Sequence, residues 1–152
     1  MSKHGSPERD ALARGAFDVK RFFELAGDHG HNGRLGVVYR DHGPDWAEVA
    51  LPFNDDLVGV PEDGILASGA IVSLVDVCSG GAVWQKLGRF EPIVTVDLRL
   101  DYLRPAFTGD TVVARMECYK LTRSIAFVRG VAHTGDADHP VANVTGTFML
   151  RP

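Results

Sequence analysis

Cysteine is scarce in this chain of 152 residues, and positive charge is nowhere clustered. Two cysteines, Cys78 and Cys118, are too few for a disulfide framework and are typical of a protein of the reducing cytoplasm. No run of Lys or Arg occurs, and the net charge is −4 with an isoelectric point near 5.8. Neither nucleic acid nor an anionic membrane surface is therefore an expected partner. The opening residues, MSKHGSPERDALAR, lack an apolar stretch, so we expect no secretory signal.

Long hydrophobic runs are almost absent too, and the single candidate is GILASGAIVSLVDVCSGGAVW, residues 64–84. Its serines, glycines and one Asp argue against a membrane span. The apolar residues cover nearly every face of a helix, which is typical of a helix surrounded by protein. The sequence therefore predicts a buried helix from about Ser68 to Leu87, ended by Gly88. Asp76 lies in its middle, where an ionised side chain is costly without partners.

The remaining pattern predicts one short helix and six strands around that buried helix. FDVKRFFELAG has apolar residues at helical spacing, and DHGHNG is typical of a turn. RLGVVYR and DWAEVALPF predict an antiparallel hairpin, and NDDLVGVPEDG predicts a loop. After Gly88 the period changes to two, and the predicted strands are PIVTVDLRLDYLRP, TVVARMECYKL, SIAFVRGVAHT and PVANVTGTFML. In the first of these, one face is expected to carry Val94, Val96, Leu98, Leu100 and Tyr102.

This order of elements predicts an α+β fold. Runs of consecutive strands favour an antiparallel sheet with its helices on one face. A curved sheet that wraps one long helix, the hotdog arrangement, would bury a helix that is apolar all round. We expect residues 1–15 to be poorly ordered and residues 16–152 to form a single hotdog domain.

Three stretches resemble the hotdog-fold acyl-CoA thioesterases of the phenylacetate-degradation type, within the 4-hydroxybenzoyl-CoA thioesterase-like superfamily. SGAIVSLVD resembles the start of the family's central helix, which usually reads His-Gly-Gly and, after small and apolar residues, Leu-x-Asp. VTVDLRLDYLRPAFTGD resembles the family's strand and turn T-V-x-L-x-x-x-F/Y-L-R-P-A-x-x-G-D. TRSIAFVRGVAHT resembles the strand that commonly follows. The three occur in the family's order and at its separations.

The resemblance implies site residues position by position. The family's catalytic carboxylate falls on Asp76, and its paired glycines fall on Ser68 and Gly69. The family's His falls on Ala67, which is a departure in the substrate-binding loop. Thr95 lies where relatives place a small hydroxyl residue. The resemblance also implies no metal or redox cofactor.

Thioester hydrolysis needs donors for the developing oxyanion and a base or nucleophile. The free N–H groups of a helix start serve the first need, so Ser68 and Gly69 are candidate oxyanion donors, and Ser68 could also cap the helix. Asp76 lies roughly 12 Å further along the same helix. In hotdog dimers the central helices run side by side and antiparallel, so we expect Asp76 to act across a dimer interface, as general base or nucleophile.

Simpler structural roles remain open for each of these residues. Asp76 could be a carboxylate hydrogen-bonded to backbone or hydroxyl groups, Ser68 could only cap the helix, and Thr95 is common in strands. The CoA phosphates require cations, and the candidates for this end of the substrate are Arg89, Arg104, Arg123 and Ser124. Pairing with carboxylates on the sheet surface is the alternative for Arg104 and for the nearby Arg99.

The histidines and Cys78 predict less. His29 and His31 have a spacing that can suit a metal, but no third ligand follows in a recognisable spacing, so no metal site is expected. Cys78 is expected to be a core residue because no His accompanies it. Two rival functions remain: an acyl-CoA-binding sensor or carrier, favoured by Ala67, and a hydratase or dehydratase. The latter needs a His beside the helix, and the sequence places none there.

Overall fold

The computed structural model describes residues 16–150, and the segment 1–15 that was expected to be poorly ordered lies outside them. Two short helices come first, α1 (Val19–Asp28) and α2 (Gly30–Leu35). Asp18 caps α1 by accepting a hydrogen bond from the backbone N–H of Arg21, and α1 buries Val19 and Phe23. The α1 helix was predicted. The α2 helix was not, because DHGHNG has the composition of a turn, and this prediction is wrong.

The strands form one antiparallel sheet and one small ribbon. Six strands pair in the order β1-β2-β6-β7-β8-β5. Their bounds are β1 (Val38–His42), β2 (Trp46–Leu51), β5 (Ile93–Tyr102), β6 (Val112–Leu121), β7 (Ile125–His133) and β8 (Ala142–Leu150). The ribbon pairs β3 (Val58–Val60) with β4 (Ile65–Leu66) after a 3-10 turn at Asp55–Leu57. The expected loop 54–64 therefore contains a 3-10 turn and a strand.

The central helix α3 spans Ser68–Leu87, as predicted. Gly88 ends it in the left-handed conformation (φ 68°), and its N–H donates to the carbonyls of Trp84 and Gln85. The helix packs mainly against β2 and β6, and its buried residues lie between Ala70 and Val83. The α+β hotdog arrangement predicted from the sequence is confirmed.

Strand β5 lies at an edge of the sheet, and its alternation differs from the predicted one. A β-bulge between Thr95 and Asp97 leaves Val96 without a paired residue on β8. The extra residue reverses the faces, so Thr95 joins Leu98 and Leu100 on the side of α3. Val94 and Val96 are instead 48% and 57% exposed. The expectation that they share a face with Leu98 is wrong.

Candidate active site

Asp76 lies in a cleft between α3 and the β5 edge of the sheet. The helix packs against β2 and β6, which leaves this gap on its other side. The cleft has a volume of about 470 Å³, and α3 contributes Ser73, Asp76, Val77, Gly80 and Trp84 to its lining. Ser73, Asp76, Gly80 and Trp84 follow one another at helical spacings of three and four, so they form one stripe of the helix, and Val77 lies beside it. The carboxylate therefore faces a cavity and does not lie in the apolar core.

The Asp76 carboxylate is held by a strand hydroxyl. Thr95 Oγ1 donates to Asp76 Oδ1 over 2.9 Å. The bulge after Thr95 is what turns this hydroxyl toward the helix. Among residues 16–150, no side-chain or backbone group forms a hydrogen bond with Oδ2 of Asp76. One oxygen is thus fixed in place while the other is available to a water or a substrate.

An aromatic wall closes the far end of the cleft. Phe22 of α1, Trp84 of α3 and Phe90 form this wall, with 4.8 Å between the ring centroids of Phe22 and Trp84 and 4.8 Å between those of Trp84 and Phe90. The indole Nε1 donates to the backbone carbonyl of Glu91 over 2.8 Å, which fixes the Trp84 ring. Gly80 forms the floor between Asp76 and this wall. The cleft thus has a carboxylate at one end and apolar rings at the other.

The comparisons with known proteins decide the family. The sequence model described as the thioesterase superfamily matches residues 63–140, about half of the chain. The chain belongs to this superfamily. It is a thioester hydrolase of the hotdog fold.

Individual relatives agree with that assignment. The Medium/long-chain acyl-CoA thioesterase YigI of Salmonella typhimurium is 30% identical in an alignment of 132 residues that covers 78% of this chain and 84% of the relative. A solved Pseudomonas aeruginosa protein is 34% identical with a TM-score of 0.74 and coverage of 86% and 95%. A mutant of the phenylacetic acid degradation protein PaaI from Thermus thermophilus is 27% identical with a TM-score of 0.68 and coverage of 78% and 96%.

The helix start of this thioesterase differs in one respect from the expectation. The N-cap is Ala67, and the cap has no side-chain hydrogen bond, so Ser68 is the first helical residue and does not cap the helix. The capping expectation is wrong because the extended backbone turns into the helix one residue earlier. Ser68 and Gly69 are exposed, and a Cβ at Gly69 would meet no atom within 4 Å. Space for a ligand remains around these N–H groups.

The predicted phosphate-binding residues are divided between two places. Arg89, Arg123 and Ser124 line one cavity of about 500 Å³ together with Lys86. Arg89 is paired with Glu91 over 2.8 Å and Lys86 with Asp45 over 3.2 Å. Within residues 16–150, Arg123 has no ion-pair partner.

Arg104 lies outside this cavity, and its guanidinium forms hydrogen bonds within the protein. Its guanidinium donates to the carbonyl of His139 and to the hydroxyl of Thr134. It therefore anchors the turn before β8. By contrast Arg99 pairs with Asp101 on the sheet surface over 2.9 Å, the alternative that the sequence left open for it.

Sequence reasoning missed two polar groups of the cleft. His31 and Asn32 of α2 both line it, and His31 Nε2 lies 2.9 Å from the hydroxyl of Ser73. The expectation that no His lies beside α3 is therefore wrong. His29 is directed elsewhere, with Nδ1 3.2 Å from the carbonyl of Leu25. The only signal in the sequence was the pair of histidines itself. Because their segment has the composition of a turn, the sequence did not predict a helix there that would bring His31 to the cleft.

Cys78 lies in the hydrophobic core, away from the cleft lining. Cys78 is fully buried, and desolvation raises the pKa of its thiol to about 12, which agrees with a core role and not with a nucleophile. Residues 16–150 contain no cluster of three His, Cys, Asp or Glu side chains arranged to hold a metal. No helix in that range is long and apolar enough to cross a membrane.

Proposed function

We propose that this thioesterase hydrolyses acyl-CoA or aryl-acyl-CoA thioesters in sites built across the interface of a homodimer. The observation that carries the proposal is the Asp76 carboxylate, which faces a cleft with one oxygen fixed by Thr95. Asp76 activates a water as general base or attacks the thioester carbon itself. Thr95 holds the carboxylate in the orientation that either route needs.

The second half of each site comes from the partner subunit. Along α3 the rise from Gly69 to Asp76 is about 10 Å, too far for one thioester carbonyl to meet both. An antiparallel partner helix would bring its own N–H groups at Ser68 and Gly69 to Asp76. These N–H groups and the positive end of the helix dipole would stabilise the oxyanion.

Two features of the single subunit support this dimer. Strand β5 has ten residues and an unpaired edge, which antiparallel pairing with a second copy would satisfy. Val72 on α3 is exposed beside Ser68 and Gly69, and Val94 and Val96 are exposed on β5. A second copy would cover both apolar sets. A dimer of such dimers is the further assembly we expect.

The two ends of the substrate fit two adjoining cavities. Arg123 is the cation available for a CoA phosphate, with the Ser124 hydroxyl beside it, and its cavity shares Glu91 with the Asp76 cleft. The acyl group would pass over Gly80 toward the Phe22, Trp84 and Phe90 rings. The rise from Asp76 to Trp84 is about 12 Å, which suits a medium-length chain or a ring. The relative YigI is named for medium- and long-chain acyl-CoA.

The site requires neither a metal nor a redox cofactor in this mechanism, and we expect the protein to work in the cytoplasm. Both Cys78 and Cys118 are free and buried thiols. A reducing compartment preserves such thiols.

Subunit complementation tests the proposal directly. Asp76→Asn removes the base, and Gly69→Pro removes one N–H donor in the first turn of α3, where that N–H has no partner within the helix. Each variant alone should release no CoA from a panel of acyl-CoAs. Random mixing of the two should restore roughly a quarter of the wild-type rate, because half of the dimers then hold one intact site.

Three outcomes would overturn parts of the proposal. Full activity of Asp76→Asn would remove the carboxylate from the mechanism. Mixtures that stay inactive although subunits exchange would place both groups in one subunit. Tight acyl-CoA binding by the wild type without release would favour the sensor or carrier.

A further inference from the structure

The Asp76 cleft contains an imidazole supplied by the N-terminal helical segment. His31 of α2 lies 42 positions before Ser73, yet its Nε2 is 2.9 Å from the Ser73 hydroxyl. Ser73 is three residues before Asp76 on α3, so the two side chains lie on the same stripe of the helix. Ala67, at the helix start, has no side-chain group that can move a proton. His31 is thus an acid–base side chain that contacts α3 on the same stripe as Asp76 and lines the same cleft.

The hydrogen bonds around Ser73 determine which ring nitrogen can exchange a proton. Ser73 Oγ donates its proton to the carbonyl of Gly69 over 3.1 Å, so it presents a lone pair to His31. His31 must then donate from Nε2, and the neutral ring carries its lone pair at Nδ1. No side chain or backbone group among residues 16–150 bonds to that Nδ1. A proton can enter and leave Nδ1 while the bond to Ser73 stays intact.

The charges around His31 are few and have known partners. Two carboxylates line the same cleft, Asp76 on α3 and Glu91 before β5, and Arg89 pairs with Glu91. Three of the four charged residues of α1, Lys20, Glu24 and Asp28, line a separate cavity beside β1. On α2 itself the charged residue is Arg34, and His29 is the residue before the helix. Asp76 is therefore the carboxylate with an unpaired oxygen in the cleft.

We propose that His31 is the general acid that protonates the leaving thiolate. This inference rests on the proposed hydrolysis at Asp76. His31 and Asp76 would then divide the two proton transfers of the reaction, a common device in acid–base catalysis. The same pair would also suit a hydratase, and membership of the thioesterase superfamily decides for hydrolysis.

The steps balance as follows. Asp76 takes a proton from water while the water oxygen bonds to the acyl carbon, and the carbonyl oxygen becomes an oxyanion. The carbonyl re-forms, the C–S bond breaks, and its electron pair goes to sulfur. His31 enters this step as the imidazolium, with a proton on each ring nitrogen, gives the sulfur the proton held at Nδ1 and becomes neutral. A water then carries the proton from Asp76 back to His31, which leaves one carboxylic acid and one free thiol.

Leaving-group dependence distinguishes this role from a structural one. His31→Gln keeps a hydrogen-bond donor but cannot supply the proton. On an acyl-CoA the variant should lose roughly 100-fold in kcat, since general acid–base catalysis contributes at least that much. On the nitrothiophenyl ester of the same acyl group, whose thiolate leaves without a proton, wild type and variant should react at similar rates.

His29→Gln is the matched control. It changes the same residue type two positions away, outside the cleft, and should match the wild type in rate and melting temperature. Ser73→Ala should lower kcat less than His31→Gln, because the imidazole remains but loses its anchor.

Each result has a defined meaning. An equal loss on both leaving groups, or rates equal to those of His29→Gln, would overturn the role of His31. In either case a loss of activity in Asp76→Asn would leave the proposed function standing. A wild type that releases no thiol from any substrate would instead overturn the proposed function.

Discussion

Two neighbouring glycines of α3 provide a sharp test of the cleft, because one lies on its floor and the other in the core. A Cβ built on Gly80 would lie 3.7 Å from Ile93 Cδ1 and 3.7 Å from Trp84 Cζ3, which are ordinary contacts. A Cβ on Gly81 would come within van der Waals overlap of the Phe23 ring, which is 1% exposed. The same substitution should therefore have different effects at adjacent positions.

The expected magnitudes follow from these contacts. Gly→Ala inside a helix stabilises by about 1 kcal/mol, so Gly80→Ala should raise the melting temperature by about 2 to 4 °C. Gly81→Ala gains the same amount but overpacks the core, which costs about 1 to 3 kcal/mol. Gly81→Ala should thus be less stable than Gly80→Ala by about 1 to 3 kcal/mol, measured by urea unfolding or thermal melting.

In activity the order of the two variants should be reversed, with Gly80→Ala more impaired than Gly81→Ala. The added methyl of Gly80→Ala occupies the floor between Asp76 and Trp84, so kcat/KM should fall for acyl chains that reach the aromatic wall and stay unchanged for acetyl-CoA. Gly81→Ala should keep the wild-type chain-length profile. If Gly80→Ala changes no chain-length preference, the acyl group does not pass over Gly80. If the two variants have the same melting temperature, the Phe23 ring does not pack against α3 at Gly81.

Two further predictions concern the basic cavity and the buried thiols. Arg123→Ala should raise KM for acyl-CoA about tenfold, because one charge-assisted contact is lost, and should leave KM for the matching acyl-pantetheine unchanged. An equal rise in KM for both substrates would place the CoA phosphates elsewhere. Burial raises the pKa of Cys78 to about 12 and of Cys118 to about 11, so the thiolate is disfavoured in the folded state. Both thiols should therefore resist alkylation by iodoacetamide up to pH 9 until urea unfolds the chain. Rapid labelling of the native protein at pH 8 would contradict their burial.

The central helix and the six main strand segments could be predicted from sequence because their signals are local. The apolar residues of α3 cover all its faces, and Gly88 supplies the left-handed residue that ends it. The alternation after Gly88 also identified β5. It did not reveal which residues face α3, because the bulge at Val96 depends on pairing with β8 and leaves the local pattern intact. A bulge of one residue then reversed the faces of Val94 and Val96.

The candidate site shows the same division between local and distant signals. Asp76 could be identified because a lone carboxylate in an apolar helix is conspicuous. The contact of Thr95 with Asp76 depends on the bulge, and the position of His31 in the cleft depends on a contact across 42 positions between a turn-like segment and α3. No periodicity within either segment encodes that contact. Only the packing of α2 against the helix brings the imidazole to the cleft.

The position of Asp76 is explained by what surrounds it in the folded chain. An ionised carboxylate in an apolar core would be unstable, but α3 carries small residues at Ser73 and Gly80 on the stripe that contains Asp76. These small residues open a cleft, so the carboxylate keeps contact with solvent and gains the Thr95 hydroxyl. The open cleft also leaves space for His31. The helix could therefore keep the apolar surface that the sheet needs while it presents Asp76 to the cleft.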